Sequence, residues 1–131
     1  MKQKIARIAL VVNDYDEAIK FYTEKLSFTL IEDTILSTEK RWVVVAPTGS
    51  TECCLLLAKA ANDEQKSRVG NQTGGRVFLF LYTDNFQRDY QKLIDKGINI
   101  VREPVIEPYG TVLVFEDLYG NLWDLIEPIS K

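Results

Sequence analysis

Phe115-Glu116-Asp117-Leu118-Tyr119-Gly120-Asn121-Leu122-Trp123-Asp124-Leu125-Ile126-Glu127-Pro128 sets two runs of strand-forming residues on either side of a tight connection, Asp117 to Asn121. Gly120 and Asn121 tolerate the positive φ angles that a short hairpin needs, so the segment reads as a β-hairpin. Strand alternation in the second arm puts Leu122, Asp124 and Ile126 on one face and Trp123, Leu125 and Glu127 on the other. A carboxylate therefore sits among apolar residues on a surface expected to be buried. Trp123, on the opposite parity, is expected to face a helix and belong to the core.

The hairpin closes a pattern that occurs twice. Ile5 to Val12 is a strand by composition, with Arg7 on the same face as Ala9 and Val11. Asp14 or Asp16 can cap a helix in which Ala18, Ile19, Tyr22 and Leu26 recur at helical spacing, and Ser27-Phe28 ends it. Phe28 to Ile35, Arg41 to Ala46 and Glu52 to Ala58 follow as three strands joined by hairpins. In the second half Arg76 to Tyr82 is a strand, Asp84 opens a helix with Phe86, Tyr90, Leu93 and Ile94 inward, and Gly97 stops it. Ile98 to Val101, Thr111 to Phe115 and Leu122 to Glu127 are the last three strands, with Arg102, Glu103 and Glu107 in a solvated connection.

The order is βαβββ twice. A shift of 70 residues, the offset from Asp14 to Asp84, also superposes Ser27 on Gly97, Phe28 on Ile98, Val44 on Val114 and Leu55 on Leu125. Each four-stranded unit carrying one helix leaves its other sheet face bare, so two units must pack to bury it. The expected architecture is α+β: two βαβββ modules forming a curled mixed-sheet cup with the helices outside. The whole chain, 1–131, is one domain, with a module at 1–58, a linker at 59–75 and a module at 76–131. The linker combines a polar stretch able to form a short helix, Ala60 to Arg68, with the flexible Gly70-Asn71-Gln72-Thr73-Gly74-Gly75.

Composition narrows the function. A chain of 131 residues with 46% hydrophobic and 27% charged residues needs neither metal nor disulfide to fold. No apolar run approaches the roughly 20 residues of a membrane helix. The run Ile8 to Val12 is too short for a signal-peptide core, and a cytoplasmic location is expected. A net charge of −3 with scattered Lys and Arg offers no footprint for nucleic acid. Cys53 and Cys54 are neighbours in a strand, point to opposite faces and fit a reducing compartment. There is no histidine, which removes the commonest general base, the Ser-His and Cys-His nucleophile pairs and the commonest transition-metal ligand.

Arg7-Ile8-Ala9-Leu10-Val11-Val12-Asn13-Asp14, then Ala18-Ile19-Lys20-Phe21-Tyr22 and Leu26-Ser27-Phe28, resembles the opening of the vicinal oxygen chelate superfamily, which includes glyoxalase I, extradiol dioxygenases and the bleomycin and fosfomycin resistance proteins. Asp117-Leu118-Tyr119-Gly120-Asn121-Leu122-Trp123-Asp124-Leu125 resembles its closing hairpin. The resemblance implies ligands for a metal at one position on the first and last strand of each module, here Arg7, Cys54, Val77 and Asp124. It also implies a homodimer. Among those four residues only Asp124 is a hard oxygen ligand, while Arg7 has no lone pair to give and Val77 no donor atom. No metal and no other cofactor is expected.

Arg7 and Asp124 read either as a structural ion pair in the space a metal takes in relatives, or as a pair orienting a ligand. Trp42 and Tyr109 lie near strand starts beside loops, where a ring covers a planar ligand as readily as core. An apolar cup lined by Leu56, Leu79 and Val77 completes the candidate site, with Cys54 also among its candidate residues. The expected function is metal-independent binding of a small molecule. The alternative is a glyoxalase-type lyase or extradiol dioxygenase-type enzyme acting on a small vicinal-oxygen substrate.

Overall fold

The computed structural model describes residues 1–50 and 52–129. It divides into two compact units, Met1–Val69 and Gly70–Lys131, each a βαβββ module. In the first, β1 (Arg7–Val12) leads through Asn13 into helix α1 (Tyr15–Lys20), which continues as a π-helical turn over Phe21–Lys25. Of the two expected caps it is Asp14 that serves, its carboxylate accepting the backbone N–H of Glu17 at 2.8 Å. Ser27 then takes φ 60°, a left-handed conformation costly for any side chain. The matching residue in the second module is Gly97 at φ 73°, where no Cβ is present to resist it.

Strands β2 (Thr29–Ile35), β3 (Arg41–Ala46) and β4 (Cys54–Lys59) complete a sheet in the order β1-β4-β3-β2, with β1 parallel to β4 and the other pairs antiparallel. Helix α1 covers the side of this sheet that carries Leu10, Val12 and Leu57, all fully buried. Arg41 ties that side together. Its guanidinium reaches Asp33 at 2.6 Å and Asp16 at 2.9 Å and lies 5.2 Å from the centre of the Tyr15 ring.

The expected linker at 59–75 is partly structure of the first unit. Lys59 ends β4, Asn62 caps helix α2 (Asp63–Arg68) by accepting from Gln65 N at 2.9 Å, and α2 packs on β1. The second unit begins at Gly70, and a Cβ there would sit 1.9 Å from the carbonyl oxygen of Tyr119. Close approach of two backbones, as well as its φ of +74°, requires glycine at this position.

The second sheet has the order β5-β8-β7-β6, with β5 (Val77–Tyr82) parallel to β8 (Leu122–Pro128), and with β7 (Gly110–Glu116) antiparallel to both β8 and β6 (Ile100–Glu107). Asn85, not Asp84, caps helix α3 (Phe86–Asp95), accepting from Arg88 N at 3.1 Å. Strand β6 is a correction to the sequence reading, because it runs through the residues assigned to a solvated connection. Pro104 is tolerated there because β6 is an edge strand and its pairing skips between Arg102 and Val105, so no ladder bond is asked of the missing N–H. Among the described residues no helix is long and apolar enough to cross a membrane.

Candidate functional site

The β7–β8 hairpin is fixed by Asp117, a carboxylate only 5% exposed. It accepts from Tyr119 N at 3.1 Å, Asn121 N at 3.0 Å, Asn121 Nδ2 at 3.0 Å and the Trp123 indole Nε1 at 3.3 Å. Four donors on one carboxylate set the turn and hence the register of the two arms, which places Val114 opposite Asp124 and Phe115 opposite Trp123. Trp123 is 2% exposed and stacks on Phe115 at 5.8 Å, as its parity predicts. On the same parity Glu127 binds the first backbone N–H of α3, so the Trp123 side is the helix side.

Asp124 occupies the other side of the sheet. Register partners share a face, which gives a row Phe80, Asp124, Val114, Arg102 across all four strands. Around it, on the same parity, lie Val77, Tyr82, Leu122, Ile126 and Val112. The surface is apolar around Asp124 near its middle; Arg102 lies at its edge, two strand spacings or about 10 Å away between backbones, and Glu116 and Glu107, register partners of Leu122 and Gly110, lie at its two ends. The Phe80 and Tyr82 side chains are 60% and 68% exposed, while Asp124 is half-buried. Burial pushes the Asp124 carboxyl up from the ordinary carboxylate range, and the positive field of Arg102 opposes this only in part. Among the described residues Asp124 makes no side-chain hydrogen bond and no ion pair.

Leu79 does not belong to this surface. The β5–β8 pairing shifts between Val77 and Leu79, so that Leu79 pairs with Trp123 and lies on the helix side. One bulge residue is enough to reverse the parity expected of a regular strand. Val77 keeps the expected face, but its partner is Leu122, and Asp124 pairs with Phe80. Tyr109 stands 55% exposed at the Gly110 end of β7, away from the Asp124 row, with its carbonyl accepting from Ile129 N at 3.0 Å.

In the first unit the sheet brings together Arg7, Cys54, Leu56 and Trp42. Arg7 pairs with Cys54, Ala9 and Val44 both pair with Leu56, and Trp42 shares the parity of Val44. Val44, Ala46 and Cys54 form a buried cluster with Leu56 packed on it, so Cys54 serves as a small core hydrophobe. The Arg7 guanidinium donates to the carbonyl of Ala6 at 3.0 Å, and the Trp42 ring is 37% exposed.

Phe80, Tyr82 and Arg102 were not singled out from the sequence. A signal for the first two was present, since aromatic residues alternate at Phe78, Phe80 and Tyr82 along one strand. Arg102 carried none, because its place depends on a bulged pairing to β7.

The four positions that the resemblance implies for a metal, Arg7, Cys54, Val77 and Asp124, carry a guanidinium, one buried thiol, an isopropyl group and one carboxylate. This donor set does not fit a divalent cation, which wants three or four lone-pair donors and no cation among them. Among the described residues no group of three or more His, Cys, Asp or Glu side chains is arranged to hold one.

The sequence profile of the Glyoxalase/Bleomycin resistance protein/Dioxygenase superfamily matches residues 4–125. The chain belongs to this superfamily. An uncharacterised protein from Shewanella frigidimarina (strain NCIMB 400) is 62% identical over 132 aligned positions, covering 100% of this chain and 98% of its own. Among solved structures the fold is similar to UcmS2, with 31% identity, a TM-score of 0.85 and coverage of 97% and 99% of the two chains. It is also similar to TnmS3, an antibiotic binding protein from Streptomyces sp. CB03234, with 26% identity, a TM-score of 0.78 and coverage of 98% of each chain. The glyoxalase/bleomycin resistance fold expected from the two motifs is thereby established over both modules.

Proposed function

We propose that this superfamily member binds a small organic molecule without the aid of a metal, against the Asp124 face of the β5-β8-β7-β6 sheet. The observation that carries the reading is a half-buried carboxyl with no hydrogen-bond partner among the described residues, beside the exposed Phe80 and Tyr82 rings. Leaving such a group unpaired costs stability, and exposed aromatic rings are costly as well, so both are better explained by a ligand than by folding. The similarity to TnmS3, an antibiotic binding protein, supports binding over turnover. Asp124 is a poor candidate for a metal-assisted reaction because the neighbouring positions supply no further hard donor.

Two accompanying readings are part of the proposal. Cys53 and Cys54, neither of them in a disulfide, fit action in the reducing cytoplasm. Val101 and Ile106, 48% and 83% exposed on the β6 edge, fit a homodimer; sedimentation at the monomer mass of 15.0 kDa would remove that part.

The test is a calorimetric titration of the purified protein with naphthylmethanol, before and after dialysis against a chelator. Binding unchanged by chelation is expected. Binding lost on chelation and restored by iron, manganese, nickel or zinc would replace this reading with the lyase or dioxygenase alternative.

A further inference from the structure

We infer that Asp124 makes this face selective for the sign of its ligand, favouring an ammonium-bearing apolar ring over a neutral or anionic one. The inference rests on the binding function proposed above and specifies its ligand class. On β8 itself Glu127 is turned to the helix side, where it caps α3, and on β6 Glu103 accepts from the Tyr90 hydroxyl at 3.0 Å. Strand β5 contributes none between Val77 and Tyr82. On β7, Glu116 is engaged by Asn99, whose Nδ2 donates to it at 2.8 Å. On β6, Arg102 lies 3.6 Å from Glu107, so part of its charge is answered within its own strand. Asp124 differs from these carboxylates in having neither a hydrogen-bond donor nor an ion-pair partner among the described residues, and burial makes its charge costly to hold. An ammonium brought to it recovers the cost and makes a charge-assisted hydrogen bond, whereas a hydroxyl recovers less and a carboxylate adds repulsion. Phe80, the register partner of Asp124, is placed for the ring, and its π face adds attraction for a nearby cation.

The experiment compares three probes of one shape, naphthylmethylammonium, naphthylmethanol and naphthoate, titrated at neutral pH into the wild type, Asp124→Asn, Arg102→Gln and Phe80→Ala. In the wild type the ammonium should bind about tenfold or more tighter than the alcohol, with naphthoate weakest, because charge-assisted hydrogen bonds are about twice as strong as neutral ones. Asp124→Asn keeps shape and should bring the three probes close to one another. Arg102→Gln, at an exposed position, should widen the preference for the ammonium by removing an opposing charge. Phe80→Ala should weaken all three. Equal binding of the three by the wild type, naphthoate binding best, an ammonium preference that survives Asp124→Asn, or one that falls in Arg102→Gln would each overturn the inference and leave the binding function standing. Failure of all three probes to bind the wild type would overturn the binding function, and the inference with it.

Discussion

Glu127 Oε1 accepts the backbone N–H of Phe86 at 2.6 Å, so the last strand supplies a cap to the first turn of α3. This bond joins two elements that neighbour each other only in the folded unit, and it satisfies a donor that no intrahelical carbonyl can reach. Glu127→Ala should cost about 1–2 kcal/mol, the usual range for a lost cap. Glu127→Gln, which keeps an acceptor and loses the charge favoured at a helix N-terminus, should cost about 0.5 kcal/mol. Urea unfolding of both variants, with unchanged slope, checks this.

The Asp117 carboxylate is the acceptor for two residues of the β7–β8 turn, Tyr119 and Asn121, and for the Trp123 indole. Asp117→Asn turns one acceptor oxygen into a donor facing donors and should lower stability by about 2–4 kcal/mol. Because the turn sets the register that carries Asp124, naphthylmethylammonium binding should weaken alongside. A variant as stable as the wild type would contradict the role given to this carboxylate.

Gly70 and Gly49 have similar left-handed angles, φ +74° and +81°, but only Gly70 has a backbone atom where a Cβ would go. Substitution by alanine should cost about 1 kcal/mol at Gly49, from the angle alone. At Gly70 it should cost distinctly more, because the Tyr119 carbonyl must move. Thermal unfolding of the two single variants separates the shared cost from the steric one.

Asp124 and Asp89 should give stability profiles of opposite sign. Burial raises the Asp124 carboxyl above its unfolded value, so its ionisation destabilises the fold at pH values above the folded pKa. That destabilisation disappears as the pH falls through the folded pKa and then below the ordinary aspartate value. Asp124→Asn should therefore be more stable than the wild type at neutral pH, with the difference closing in acid. At Asp89 burial alone would raise the carboxyl, but hydrogen bonds from Arg88 and Thr83 outweigh it and hold it low. Its contribution is fully present above the ordinary aspartate value and is lost as the pH falls through the lower folded one, so Asp89→Asn should be the less stable protein at neutral pH. Chemical denaturation carried from neutral pH to well below the ordinary aspartate value reads both trends.

Local signals made the architecture legible from the residues. Arg41 to Ala46 is the same strand in sequence and structure, Asp14 and Gly97 mark their helix ends, and Asp117 to Asn121 forms the expected turn. Each of these depends on contacts within a few residues, a period of 2 or 3.6, a cap or a left-handed glycine, which the order of residues specifies directly. The repeat at a shift of 70 residues follows from the same signals occurring twice. The parity of Asp124 and Trp123 was legible too, since β8 is regular from Leu122 to Ile126.

Membership of the Asp124 face was decided by tertiary structure. Leu79 left it and Phe80 took its place because the β5–β8 ladder skips one residue, and a skip of one reverses the face of every side chain after it. Arg102 joined it because an edge strand carried on past Val101 through Pro104, with two breaks in its pairing to β7. A bulge is a compromise between twist and hydrogen bonding across two strands distant in the chain, so its position is set by the partner strand and not by neighbouring residues. Sequence alone thus specified the two modules and the strand that carries Asp124. Which side chains stand beside that carboxylate was settled only when the strands paired, because face and register are properties of the ladder.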